Sequence, residues 1–372
     1  MRLVPLVLLL LLVSACMSSA PDPTSTSNRD VRVATTDIAA LRAPEREDSA
    51  LTDVPLVAQD GTKLPLRRWL PRGKPRAIVV AIHGFNDYSN AFAAMGATFA
   101  AQGIATYAYD QRGFGAAPER GRWVGSRRMV DDALAAIQFA RKRHPGVPLY
   151  LVGESMGGAV AILAANRAGH GPFAPNGVVL LAPAVWGRDT MNLFERVGLW
   201  FADFMPSVSW SADLIPMPIQ ASDNVRVLRA LGADPLVIKE TRSDTLNGLV
   251  DLMGEALAEA PRFTSRALIL YGERDQIVPR HPVAQFVANL PPDAASRQRV
   301  ALYPSGYHLL LRDLDGALVT DDVLAWIKAP DAPLPSGEDA YARDRLAGRA
   351  VPAPPALGPS VGLPPPLRRA PS

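Results

Sequence analysis

The chain has 372 residues, of which 48% are hydrophobic and 20% charged, with a formal net charge of +3. That composition describes a globular protein with material for a sizeable core. Its arginines are scattered among acids rather than gathered into a basic stripe, which argues against nucleic-acid binding.

In chain order, Arg2 and the apolar run 3–13 read as a signal peptide over residues 1–15, too short to serve as a membrane-spanning anchor. The run ends in Val13-Ser14-Ala15-Cys16, small residues before the chain's single cysteine, which resembles a bacterial lipobox. Cys16 is therefore the expected lipidation site, and it cannot form an internal disulfide. Met17 rather than aspartate after the cysteine points to the outer membrane, so a lipid-anchored, periplasm-facing location in a bacterial cell envelope is expected. Residues 16–50, rich in Ser, Thr, Asp and Pro without apolar periodicity, read as a flexible tether.

Residues 54–58 and 63–70 flank Asp60-Gly61 and predict a hairpin. The run AIVVAI at 77–82 predicts a strand buried on both faces. A helix at 90–101, a strand at 104–109, a helix at 126–143, a strand at 148–153, a helix at 156–167 and a strand at 177–183 follow. The rhythm then breaks over 186–260, which shows no clear strand and carries three of the six tryptophans. It resumes with a strand at 267–272, a helix near 282–289, a strand at 299–304 and a helix at 317–328. Such alternation predicts an α/β protein with a mostly parallel, eight-stranded sheet, helices on both faces and a helical cap inserted at about 186–260. The domain is expected to span 51–329. Residues 330–372 hold 11 of the 35 prolines and read as a disordered tail.

Gly153-Glu154-Ser155-Met156-Gly157 fits G-x-S-x-G and lies where a predicted strand runs directly into a predicted helix. A serine at such a turn is a candidate nucleophile, and Gly153 and Gly157 are expected where strand and helix crowd together. The hydroxyl needs a general base. In this arrangement an acid and then a histidine follow the serine along the chain. Of the five histidines, His83 precedes the serine, His144 and His170 lie beside helix ends, and His281 opens a helix. His308, in the loop after strand 299–304, has the right order and sheet edge and is the expected base. The loop after strand 267–272 offers both Glu273 and Asp275 as its orienting acid, and their two-residue separation does not decide between them. Two backbone N–H groups should meet a developing oxyanion: Met156, just after the serine, and Phe85, in the His83-Gly84-Phe85-Asn86 loop.

The motifs HGFNDYSNAF, YDQRGFGAA, GESMGGAV, YGERDQIVP and SGYHLLL together resemble the monoacylglycerol lipase and lysophospholipase branch of the α/β-hydrolases, often grouped with serine aminopeptidase S33-like proteins. The resemblance covers residues 54–329. It implies the α/β-hydrolase fold, a triad of Ser155, Asp275 and His308, and Phe85 and Met156 as oxyanion donors; the G-x-x-D segment is what selects Asp275. Phe85 stands where a smaller residue is common. Asp110 and Arg112 are expected to organise their turn rather than meet substrate.

Leu193, Val197, Trp200, Phe201 and Phe204 lie at helical spacing, as either a stripe packing the cap onto the core or an apolar surface for acyl chains or membrane. No metal-ligand cluster and no dinucleotide-binding glycine pattern are present, so no metal and no cofactor are expected. The expected activity is hydrolysis of small-molecule acyl esters through an acyl-enzyme. Two other readings stay open: an aminopeptidase, with Asp223 or Glu255 anchoring the substrate amine, and a non-catalytic lipid- or partner-binding lipoprotein.

Overall fold

The computed structural model describes residues 54–211 and 219–350. The expected signal peptide and the whole of the tether, Cys16 included, lie outside these residues. Two short strands open the described chain, β1 (Leu56–Val57) and β2 (Lys63–Leu64), paired antiparallel as a hairpin of their own. Pro65, without an N–H, interrupts the predicted 63–70 strand, and its carbonyl instead accepts from the Asp110 N–H. The chain re-enters the main sheet as β3 (Leu66–Trp69), the single antiparallel member. The sheet thus has seven strands rather than eight, because the first hairpin stays separate from it.

The parallel strands are β4 (Ala77–Ile82), β5 (Ile104–Tyr109), β6 (Leu149–Glu154) and β7 (Gly177–Leu181). After the cap strands β8 (Ser209–Ser211) and β9 (Glu240–Arg242), β10 (Ala267–Gly272) and β11 (Gln298–Tyr303) complete them. Their spatial order is β11-β10-β7-β6-β4-β5-β3. Along β4, Ile78, Val80 and Ile82 join one hydrophobic cluster while Ala77, Val79 and Ala81 join another. This two-residue alternation shows that apolar cores cover both faces of the sheet. Helices α2 (Ser126–Arg143) and α3 (Met156–Ala168) pack into the first cluster. Helix α1 (Ala93–Ala101) packs into the second.

The cap leaves the sheet after β7 and holds α4 (Leu193–Asp203), α5 (Val225–Ala233) and α6 (Ser243–Ala258). It is not purely helical, since β8 and β9 pair antiparallel within it. Three residues per strand are too few for period-2 alternation to register in sequence. Helix α7 (Arg280–Ala288) and helix α8 (Gly316–Lys328) follow β10 and β11.

The fold does not stop at residue 329. Leu334, Ala342 and Leu346 are buried, and a short helix α9 (Ala342–Leu346) packs beside β11. Ser336 donates to Asp322 and the Glu338 carbonyl accepts from the Leu302 N–H. The expected tail over 330–372 is thus corrected for 330–350: a few well-placed apolar side chains outweigh the proline content. Residues 351–372 lie outside the described chain.

The loop after β5 is organised by ion pairs. Arg112 grips Asp132 of α2 through Nε (2.7 Å) and Nη2 (2.9 Å) and also reaches Asp60 of the first hairpin. Asp110 accepts from the N–H groups of Ser89 and Ala116. Both residues brace their turn.

Candidate active site

Four loops at the carboxyl ends of β4, β6, β10 and β11 converge on one cleft. Ser155 follows β6 and caps α3 in a left-handed backbone conformation, φ 52°. For a residue with a Cβ, such a conformation stores about 1–3 kcal/mol and persists only where surroundings enforce it. Here the Ser155 N–H donates to the Leu181 carbonyl of β7, and the Ser155 carbonyl accepts from Gly158, Ala159 and Ala184. The flanking glycines have steric causes. A Cβ on Gly153 would lie 2.3 Å from the Gly157 carbonyl oxygen, and one on Gly157 would lie 2.0 Å from that of Ile82. Gly84 is less constrained: an added Cβ would sit 3.4 Å from the Ser155 Cβ, an ordinary contact.

His308 follows β11, and its Nδ1–H donates to Asp275 Oδ2 at 2.8 Å, with both side chains buried. The other carboxylate oxygen of Asp275 accepts from the N–H groups of Ile277 and Val278 at 2.8 and 3.0 Å, which fixes the carboxylate. The alternative acid, Glu273, turns outward to Arg345 and Arg280. Geometry thus makes Asp275 the histidine's partner. Burial disfavours the charged imidazole, but the Asp275 carboxylate, as charge and as acceptor, outweighs it, and the His308 pKa is raised above its ordinary value.

His83 does something else. Its Nε2 accepts from the Gln111 N–H at 2.9 Å, leaving the proton on Nδ1, which donates to the Gly84 carbonyl at 2.7 Å. Burial lowers its pKa, so it is a neutral brace for the β4 loop. That loop carries Phe85, whose ring packs edge-on against Phe114 at 5.4 Å. Among the described residues, neither the Phe85 nor the Met156 N–H donates to a backbone carbonyl.

Ser155, His308 and Phe85 line one cavity of about 650 Å³, part of it open to solvent. Its walls are mostly apolar: Trp186, Leu231 of α5, Leu249 and Met253 of α6, and Ile277 and Val278. Asp223 and Glu255 line other clefts, so the structure does not bring them to Ser155. The cavity is joined to the cap through Asn86, whose amide donates to Thr241 Oγ1 at 2.8 Å and whose carbonyl accepts from the Ile238 N–H. Sequence reasoning passed over a cluster in the cavity wall, the buried Asp87 and Glu154 with the largely buried Arg312. Asp87 and Glu154 stand inside motifs read for other residues and Arg312 directly follows one, and nothing local in the sequence marks them as partners.

The cap stripe does not touch this cavity. Leu193, Trp200 and Phe204 are 70%, 55% and 66% exposed, and α4 buries Gly198, Leu199 and Ala202 instead. Packing onto the core is therefore excluded for these side chains.

A hydroxyl at a strained turn, an imidazole aimed by a carboxylate and an apolar cleft have the chemistry of nucleophilic attack on a carbonyl. The sheet order, and that serine at a carboxyl edge, define an α/β-hydrolase. Residues 73–315 match the family "serine aminopeptidase, S33"; the chain belongs to that family and is a hydrolase. It is 27% identical over 275 residues to a monoacylglycerol lipase of Mycolicibacterium smegmatis, covering 72% of this chain and 93% of that protein. Similarity to the human monoglyceride lipase is 29% over 273 residues, 70% of this chain and 85% of the relative. Among solved structures, a soluble variant of Saccharomyces cerevisiae monoglyceride lipase bound to a substrate analogue superposes with a TM-score of 0.62. Its identity is 21%, over 76% of this chain and 97% of that one.

Proposed function

We propose that this chain is a serine hydrolase cleaving carboxylic esters of mono-acyl lipids, of the monoacylglycerol or lysophospholipid type, through an acyl-enzyme on Ser155. The observation that carries the reading is the buried His308–Asp275 pair, whose histidine lines the same apolar cleft as the strained Ser155. The Ser155 Oγ attacks the ester carbonyl while His308 Nε2 takes its proton. Asp275 holds the ring tautomer and stabilises the imidazolium. The oxyanion is met by the Phe85 and Met156 N–H groups, each worth about 2.7–4 kcal/mol in related sites. His308 then returns the proton to the leaving alcohol, and a water, deprotonated by the same imidazole, releases the fatty acid and regenerates the serine.

Three observations support a lipid ester over an aminoacyl peptide. The named relatives are monoacylglycerol lipases. The cleft is walled by apolar side chains. Its two carboxylates, Asp87 and Glu154, are both engaged by Arg312 and so poorly placed to anchor a free amine. The test is turnover of monoacylglycerol, lysophospholipid and aminoacyl amide by the full chain. Faster cleavage of the esters is expected; preference for the amide, or no turnover across an ester panel by folded protein, would contradict the reading.

Lipidation of Cys16 and a location at the periplasmic side of a bacterial outer membrane form part of the same proposal. They rest on the Val13-Ser14-Ala15-Cys16 sequence. The exposed aromatic face of α4 suits an enzyme working beside lipid. Globomycin should block maturation in cells, and unchanged processing in its presence would remove the anchor.

A further inference from the structure

The groups proposed to react sit on separate loops, so some structure must hold those loops in mutual register. One side chain spans three of them. Arg312 follows His308 by one turn, at the end of the 3-10 segment Leu310–Arg312. Its Nη1 donates to Asp87 Oδ2 at 2.6 Å and its Nη2 to Glu154 Oε2 at 2.7 Å. Asp87 lies two positions beyond Phe85, on the loop expected to bind the oxyanion. Glu154 immediately precedes Ser155. A single guanidinium thereby joins the histidine loop, the oxyanion loop and the serine turn.

Stability alone is a poor reason for this arrangement. All three side chains are buried or nearly so, Arg312 and Asp87 at 11% exposure and Glu154 at 1%. Desolvated ion clusters of this kind are commonly matched or bettered in stability by apolar residues of similar volume. Glu154 is also incompletely satisfied: among the described residues its Oε1 is buried without a hydrogen-bond partner. Burial pushes its carboxyl pKa up, although the guanidinium pulls the other way. What the cluster supplies is geometry, because a planar fork bonded at two nitrogens fixes two carboxylates relative to one another. Reacting groups displaced by about 1 Å can lose on the order of a hundredfold in rate.

We propose that Arg312 is a positioning residue, clamping the Phe85 loop, the Ser155 turn and the His308 loop into reactive alignment through Asp87 and Glu154. The inference rests on Ser155 and His308 being the reacting pair. Arg312 itself need not touch substrate.

The test is kcat measured per site titrated with a fluorophosphonate, so that unfolded or inactive protein is not counted. Arg312→Met should lower kcat per titrated site by roughly a hundredfold while KM stays within about threefold. Arg312→Lys, a point charge that cannot reproduce the fork, should recover only part of the loss. Should Arg312→Met fail to fold, Asp87→Asn and Glu154→Gln each loosen one arm and should lower kcat per titrated site by about three- to tenfold. An unchanged kcat per titrated site in these variants would overturn the clamp, as would a rise in KM alone, which would make Arg312 a substrate-binding group. Failure of the underlying reading looks different: the parent protein would resist labelling, or Ser155→Ala would keep its turnover.

Discussion

Helices α4 and α6 of the cap both carry apolar residues at helical spacing, yet they meet opposite surroundings. On α6, Leu246, Leu249, Val250, Met253 and Leu257 are buried, and two of them wall the cleft above Ser155. On α4 and its C-cap residue Phe204, Leu193, Val197, Trp200, Phe201 and Phe204 face outward, with Trp200 edge-on against Phe201 and Phe204 at 5.0 and 4.7 Å. Amphipathic spacing therefore reports that an apolar face exists and leaves open what covers it. One helix walls the cleft at Ser155 and the other offers an aromatic surface to the outside. Exposed apolar clusters commonly mark interaction surfaces, and the proposed function places chemistry at the cleft and lipid contact at α4.

The largest expected effect lies on the catalytic side of that division. Asp275→Asn should keep the fold but lower kcat by about 10⁴-fold on soluble and vesicle-borne esters alike, because the imidazole loses its tautomer and its counter-charge. A loss confined to vesicle-borne substrate would dissolve the distinction between the two regions. Next comes the scaffold beneath the catalytic edge. Arg112→Met leaves Asp132 buried and unpaired and should cost about 3–5 kcal/mol of unfolding free energy in a urea titration. A loss within error of zero would mean the ion pair contributes no rigidity.

The pH dependence should belong to the catalytic edge alone. Attack requires neutral His308, and Asp275 raises the imidazole pKa above its ordinary 6.5. Activity on a soluble ester should thus be full at alkaline pH and fall as pH drops through that raised value, about tenfold per unit below it. A midpoint at or below the ordinary imidazole value would contradict the geometry. The smallest effect should come from α4. Trp200→Ser with Phe204→Ser should weaken activity on monoacylglycerol vesicles roughly tenfold, about 1.4 kcal/mol of interfacial affinity, and leave a short soluble ester within twofold. Equal losses on both substrates would make α4 part of the cleft's support instead.

Much of the fold around the cleft is legible in the sequence. The β-branched run AIVVAI reads as a strand buried on both faces, as observed, and the serine between glycines at a strand–helix junction lies in the cleft wall. His308 followed from order and edge. The choice of Asp275 over Glu273 needed a family resemblance, and the structure supplies the physical reason: Glu273 pairs with Arg345, in a segment that its prolines made look unstructured. Arg312 and Glu154 are 158 positions apart, so their pairing is a product of the fold and has no local signal. Leu334, Ala342 and Leu346 were too sparse to form a pattern, and β8 and β9 too short. In each case the missing information was tertiary.

The proposed mechanism requires that Ser155 become covalently acylated. Intact-mass spectrometry of the full chain exposed to a fluorophosphonate, and to a slowly deacylating ester, tests it directly. A single stoichiometric adduct that maps to Ser155 is expected, with labelling and ester turnover both abolished in Ser155→Ala. An adduct on another residue, or esterase activity surviving in Ser155→Ala, would contradict it.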